Sequence, residues 1–205
     1  MNEEKKALVE LMLGGSEAAF DELYRSSSKK LYRMAYFITG NRSDSEDILQ
    51  ETFVKCFLHR DKLREPERFE SWLYQILVRT AWRVEKRKKS RSELSFEGIL
   101  DQEEDHVKGG WIEEDERGKG PLVTVIEAET AGQIREALRK LDVKYRTVIL
   151  LYYYNELSTK EIARVTGTME GTVKSRLFKA RKLLKGILES EDIMVGEQER
   201  GICHG

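Results

Sequence analysis

Proline and cysteine are nearly missing: two of each in 205 residues. Cys56 falls inside a helical pattern and Cys203 near the end, without C-x-x-C spacing, so neither a disulfide framework nor a zinc site is expected. The three histidines, His59, His106 and His204, are too scattered to form a ligand set. No apolar run approaches the roughly eighteen residues of a membrane span, and Met1-Asn2-Glu3-Glu4 does not open a signal peptide, so a cytoplasmic location is expected. There is no glycine-rich phosphate loop, no nucleophile motif and no carboxylate pair. These absences argue against an enzyme, a cofactor, a metal or a small-molecule substrate. Scarce proline leaves helices uninterrupted. With 36% charged and 40% hydrophobic residues, the composition fits helical modules, and the length suffices for two small domains.

The most informative stretch present is Leu157 to Leu188, LSTKEIARVTGTMEGTVKSRLFKARKLLKGIL. Ser158-x-x-Glu161 fits a capping box that opens a short helix. Gly167 supplies the left-handed backbone that ends it, and Ala163 is small enough for a second helix to cross closely, which is helix-turn-helix spacing. From about Glu170 that second helix places Val173, Leu177, Ala180 and Leu184 on one apolar stripe. Lys174, Arg176, Lys179, Arg181, Lys182 and Lys185 stand on its other sides, with no acid from Gly171 to Leu188. Such a surface suits a phosphate backbone, and a helix in the major groove reads bases with its first turns. Gly171, Thr172, Ser175, Phe178, Lys179 and Lys182 point away from the stripe. Thr172, Ser175 and Lys179 are therefore candidates for base edges, with Lys174, Arg176 and Arg181 flanking for phosphates and Lys182 adding positive charge.

Earlier in the chain, an amphipathic pattern from Glu3 to Leu13 breaks at Gly14-Gly15. Ser16 caps a second helix, with Ala19, Phe20, Leu23, Tyr24, Leu31, Met34, Ala35 and Ile38 at core spacing, that ends at Gly40. The third helix, Asp44 to about Arg60, can be capped by Ser43 or Ser45. Its apolar face is Ile48, Leu49, Thr52, Phe53, Cys56 and Phe57. The opposite face carries Asp47, Gln50, Glu51, Val54 and Leu58: either a partner surface, with aliphatics beside acids, or acids placed for the helix dipole. After Pro66 a helix from about Arg68 to Arg91 turns Phe69, Trp72, Leu73, Ile76, Leu77, Thr80 and Val84 inward. Arg79, Trp82, Arg83 and Lys86 lie on its other side. Trp82 among cations either stacks an unpaired base or covers an apolar patch.

The formal net charge of -1 hides segregation. From Glu93 to Glu129 twelve acids face three bases, a net near −9, with five glycines: a flexible acidic linker is expected. Helical pattern then resumes with Ile134, Ala137, Leu138 and Leu141, followed by Tyr145 through Tyr154, which would complete a four-helix C-terminal domain. The expected division is 1–92, linker 93–129, 130–190 and a disordered tail 191–205, an all-α fold.

SEDILQETFVKCF, FESWLYQILVRTAWRVEKRKK and LSTKEIARVTG with EGTVKSRLFKARKLL, in this order, resemble three motifs of the bacterial extracytoplasmic-function (ECF) sigma factors of the sigma-70 family. The resemblance covers nearly everything except linker and tail. It implies two helical domains, sigma-2 and sigma-4, that bind the clamp helices of the largest subunit of core RNA polymerase and recognise −10 and −35 promoter elements. It puts Asp47, Gln50 and Glu51 on the polymerase contact, Arg79, Trp82, Arg83 and Lys86 on the −10 side, and Thr172, Lys174, Ser175, Arg176 and Lys179 on the −35 side. It also implies an anti-sigma factor, often membrane-anchored. Two departures stand out: Arg79 and Arg83 where the family commonly has Asn and Asp, and Met169 where it usually has a Ser N-cap. The alternative from another class is a free-standing two-domain helix-turn-helix regulator binding a palindromic operator.

Overall fold

The computed structural model describes residues 3–94 and 132–200, with side chains described to Arg91 and from Gly132 to Ser190. All elements among these residues are helical. Helix α1 (Glu3–Leu13) contributes Val9 and Met12 to the core and stops at Gly14-Gly15. Ser16 Oγ accepts from the Ala19 amide at 3.3 Å and opens α2 (Glu17–Thr39), which buries Leu23, Leu31, Met34, Ala35 and Ile38. Tyr24, expected in the core, instead stays at the rim, its ring edge-on to Phe53 at 4.6 Å. Gly40, in the left-handed region at φ 66°, ends α2.

The cap of α3 (Arg42–Leu58) is Asn41, whose side chain accepts from the Asp44 amide at 2.9 Å, and neither of the expected serines. The helix starts two residues early, so Ser45 turns into the core and donates back to the Asn41 carbonyl at 2.5 Å. Ile48, Thr52, Phe53 and Cys56 are buried. Burial pushes the Cys56 thiol up to about 12, as suits a packing group. Single 3-10 turns at Arg60–Lys62 and Pro66–Arg68 lead into α4 (Phe69–Leu94).

The second bundle starts with α5 (132–139). Only its last turn packs: Ala137 and Leu138 are buried with Leu141 beyond them, whereas Ile134, expected in the core, is exposed. Asp142 caps α6 (Val143–Ile149), which continues as one π turn, Leu150–Tyr154. Helices α7 (Thr159–Thr166) and α8 (Glu170–Arg200) follow. Helix α8 runs past Ser190 into the stretch expected as tail: residues 191–200 hold no proline and are rich in Glu, a good helix former. The expected linker lies outside the described residues, except for Glu93 and Leu94 in the last turn of α4.

The two bundles touch along α4. One side of α4 packs on α2 and α3, the other on α7 and α6. That second contact accounts for the burial of Val78 and Ala81, which lie off the expected inward stripe, whereas buried Tyr74 lines a cleft with Ser27, Lys30 and Leu31 of α2. Gln75 Nε2 donates to the Arg164 carbonyl at 2.9 Å and Trp82 Nε1 to Thr147 Oγ1 at 2.9 Å. Val78 sits between these two at helical spacing. At the end of α2, Phe37 meets Tyr154 edge-on at 5.7 Å. A Cβ on Gly40 would meet only the flexible, exposed end of the Arg139 side chain, so it is the φ of 66° that calls for glycine here. Buried Arg146 donates to the carbonyls of Leu138 (2.8 Å), Arg139 (2.6 Å), Leu141 (2.9 Å) and, across the boundary, Ile38. Burial lowers its pKa, but the carbonyls of two helix ends, which lack intrahelical partners, satisfy the guanidinium.

Candidate nucleic-acid interface

Helices α7 and α8 form the helix-turn-helix that the spacing suggests. The capping box is complete: Ser158 Oγ accepts from the Glu161 amide at 3.3 Å, and Glu161 accepts from the Ser158 amide at 2.8 Å. These bonds from Ser158 hold the Glu161 carboxyl below its ordinary pKa. Gly167 turns the chain at φ 67°, its amide bonded back to Ala163 and Arg164.

The start of α8 is built without a hydroxyl cap. Met169 occupies the cap position, since its carbonyl accepts from the Val173 amide at 3.1 Å, but its thioether is 80% exposed. Thr168 does not substitute, because its hydroxyl pairs with Thr166 at 2.9 Å. Glu170 supplies the missing tie. It accepts from Thr159 Oγ1 at 2.8 Å and pairs with Lys174 at 2.9 Å, joining the first turns of α7 and α8 with an acid at the positive end of the helix.

Val173, Leu177 and Ala180 are buried, with Leu184 half-buried behind them. On the outward side Gly171, Ser175, Phe178, Lys179 and Lys182 are exposed, while Thr172 and Arg176 are half-buried. Ser175 donates to the Thr172 carbonyl at 2.9 Å. Lys179 leans 5.5 Å over the Tyr145 ring, and Arg181 lies 5.4 and 5.5 Å over Tyr152 and Tyr153. Rings of α6 and its π turn thus steady two of the cations, a contact that sequence spacing within α8 could not reveal. Phe178, outside the candidate set for base or phosphate contact, is 73% exposed in the middle of this face. The helical wheel already pointed it outward.

On the first bundle Arg79, Arg83 and Lys86 are exposed along α4. Trp82 departs from expectation. It does not project into solvent from the basic side but is half-buried against the core and bonded to Thr147. Arg83 pairs with Glu51 of α3, and Lys88 with Asp44. On α3 Asp47 and Gln50 are exposed, with Val54 at 56% and Leu58 at 63%. Glu51 is only half-exposed: burial alone would raise its pKa, but hydrogen bonds from Lys55, at 2.6 Å, and from Arg83 bring it below the ordinary value. The structure therefore sets the acidic-aliphatic face of α3 beside the basic face of α4, and places the α8 face on the other bundle.

A helix-turn-helix with a basic outward face, coupled to a second bundle that carries an acidic-aliphatic face and a basic face, defines a helical DNA-binding protein built to work with a partner. The family comparison says which kind. Residues 23–92 match the model described as Sigma-70 region 2, and residues 131–184 that described as Sigma-70, region 4. The RNA polymerase sigma factor SigV of Bacillus subtilis (strain 168) is 33% identical over 165 residues, covering 79% of this chain and 86% of that protein. The ECF RNA polymerase sigma factor SigW of the same organism is 31% identical over 175 residues, covering 83% and 89%. Two solved structures share the fold. The sigma factor RpoE in complex with the anti-sigma factor NepR, from Bartonella quintana, superposes with a TM-score of 0.61 at 23% identity over 83% of this chain and 96% of that one. CnrH in complex with the cytosolic domain of CnrY gives 0.60 at 22% over 91% and 97%. The chain belongs to the ECF sigma factors of the sigma-70 family, and its function is promoter-specific transcription initiation by RNA polymerase. The palindrome-binding regulator is thereby set aside.

Proposed function

We propose that α8 reads the −35 element, that the basic face of α4 engages the −10 element and helps to melt it, and that the acidic-aliphatic face of α3 docks on the clamp helices of core polymerase. The observation that carries this reading is the outer face of α8 from Gly171 to Leu188, which holds no acid and is fixed in place by a capping box and by the Glu170 tie. Ser175, Phe178, Lys179 and Lys182 stand outward from it, with Lys174 and Arg176 flanking for phosphates and Thr172 near the helix start. Arg and Lys at the edges supply the salt-dependent backbone term, and the short side chains of the first turns approach base edges. On α4, Arg79, Arg83 and Lys86 hold phosphates while Trp82 stacks an unpaired base. On α3, exposed Val54 and Leu58 beside Asp47 and Gln50 offer the apolar centre and charged rim of an interface.

The protein performs no catalysis of its own in this reading; polymerase does. Among the described residues no helix is long and apolar enough to cross a membrane, which fits action beside polymerase in the cytoplasm. An anti-sigma partner belongs to the same reading, supported by the sigma factor RpoE, of this fold, solved with the anti-sigma factor NepR. Run-off transcription with purified core polymerase on genomic promoter fragments tests the whole. Specific products that vanish without this protein are expected. Specific operator binding by the free chain with no run-off product would defeat the proposal.

A further inference from the structure

Beyond the turns proposed for the −35 element, α8 leaves an apolar groove open. Ile149 and Tyr153, from α6 and its π turn, and Leu184 and Leu188, from α8, line a depression of about 340 Å³. Ile149 is buried, Leu184 and Leu188 are half-buried, and Tyr153 is 57% exposed. At the rim stand Arg181, resting on the Tyr152 and Tyr153 rings, and Lys185, paired with Glu189 at 3.5 Å. From Gly171 to Leu188 the helix holds no acid, so the groove is apolar at its floor and positive along one side. The occupant that fits such a groove is an apolar helix with acidic edges.

An occupant of that chemistry is written into the same helix. Helix α8 runs on to Arg200, and from Glu189 to Glu199 its sequence carries five acids and no base, with Ile193, Met194 and Val195 among them. Met194 and Val195 follow Ile187 and Leu188 by seven residues, or two helical turns, so the apolar pattern continues past the groove. Glu191 follows Leu184 by the same seven residues, a place in the pattern where an acid calls for a cation opposite it. This arm cannot serve its own groove, because one unbroken helix carries it away at about 1.5 Å per residue. A second copy of the chain can. Laid antiparallel, two α8 helices set each acidic arm against Arg181, Lys182 and Lys185 of the other, whereas a parallel pair would set acids against acids. Both grooves are then filled at once, as a two-fold axis requires.

We propose that the far half of α8 is a self-association surface, on which two copies of this chain pair antiparallel with the 189–199 arm of each in the Tyr153–Leu188 groove of the other. Thr172, Ser175 and Lys179 lie ahead of the paired stretch, so the pairing does not depend on how the −35 element is read. One helix against one groove is a small contact, of the size of transient interfaces. Copies therefore pair as concentration rises and part on dilution.

Sedimentation of the full chain over a range of concentrations tests this. The wild type is expected to pass from one chain to two in the micromolar range and to part more readily at high salt. Arg181→Glu with Lys185→Glu reverses the rim, and Glu191→Lys with Asp192→Lys reverses the arm. Each pair of changes should weaken association about tenfold or more, by setting like charges together. All four changes in one chain should restore it, since the exchanged charges meet opposites again. Ser190 is exposed and near the centre of the proposed pair, so a spin label on Ser190→Cys in a Cys203→Ser background should lie close to its copy. That label tests the pairing in a chain whose charges are untouched, and circular dichroism checks that the charge variants keep their helices. A wild type that stays a single chain at every concentration overturns the proposal, as does a dimer that both reversals leave intact. Weakening by each reversal with no recovery in the fourfold variant, or two Ser190 labels too distant to couple, overturns the antiparallel pairing.

Discussion

The two basic surfaces of this protein are held in opposite ways. On α4 the cations are tied to acids of another helix, Arg83 to Glu51 and Lys88 to Asp44, and the tryptophan among them is tied to Thr147 of the other bundle. On α8 the ties are local or aromatic: Lys174 pairs with Glu170 and Lys185 with Glu189 one turn away, while Lys179 and Arg181 rest on tyrosine rings. The two acids paired on α8, Glu170 and Glu189, lie at the edges of its basic stretch, and the aromatic contacts cancel no charge, so the surface between them stays positive. The α4 surface is partly neutralised and partly covered. One chain therefore carries a basic face that is open to solvent on α8 and one that is partly paired and partly covered on α4.

The largest effect is expected where the acidic face of α3 meets its partner. Asp47→Lys should weaken binding to core polymerase by about a hundredfold or more, because like charges juxtaposed at an interface cost several kcal/mol. Since Asp47 is exposed, circular dichroism and melting temperature should not change. Glu51→Lys should weaken core binding as well and also lower the melting temperature slightly, having broken the pairs to Lys55 and Arg83. Fluorescence titration against core measures both, and wild-type affinity in Asp47→Lys would remove the docking assignment.

Alanine at Thr172, Ser175 and Lys179 together should change promoter choice, since each good base contact is worth about 1–3 kcal/mol of discrimination. Lys174→Ala should instead weaken all promoters alike and reduce the salt slope by about one. Competition between promoter fragments differing only in the −35 element separates the two. If the triple variant keeps wild-type preference, the reading helix is misassigned and the contrast between the surfaces loses one side.

Trp82→Ala should slow opening of duplex promoter by about tenfold, within the 1–3 kcal/mol of base stacking. A template mismatched across the −10 region should lose much less, its melting cost having been removed beforehand. Permanganate reactivity of −10 thymines on both templates reports this. Equal losses on the two would make Trp82 a packing residue whose only partner is the second bundle.

The smallest effect concerns the capping box. The Glu161 carboxyl sits below its unfolded value of about 4.3 because it accepts from Ser158. With the folded pKa depressed, its contribution is fully present above the unfolded value and is lost as pH falls through the folded one. Protection of the Ser158 amide, taken relative to its intrinsic exchange rate, should therefore fall as the Glu161 carboxyl takes up its proton at acid pH, and Glu161→Gln should flatten that dependence. Unchanged protection at low pH in the wild type would show that the box does not depend on the charge.

The sequence alone determined the helices, most of their ends and the α8 face. Those features rest on groups close along the chain: Ser158 with Glu161, Gly167 with Ala163, and Val173, Leu177 and Ala180 on one stripe. Periodicity reports a helix's own faces, and a capping box closes within one turn, so no distant residue is needed to see either. Some local details still escaped, such as Asn41 in place of a serine cap and Glu170 bridging to Thr159 where no hydroxyl cap stands. Tertiary structure alone decided which face of α4 is free. Val78 and Ala81 gave no sign of a second buried side, because the helices packed on that side of α4 lie some sixty residues or more further along the chain. Separation along the chain likewise hid Trp82 beneath Thr147 and the bond from Arg146 to the Ile38 carbonyl of α2. A polar or aromatic residue on a helix surface is compatible with solvent, with DNA and with another helix. Only the packing of the whole chain chooses among them.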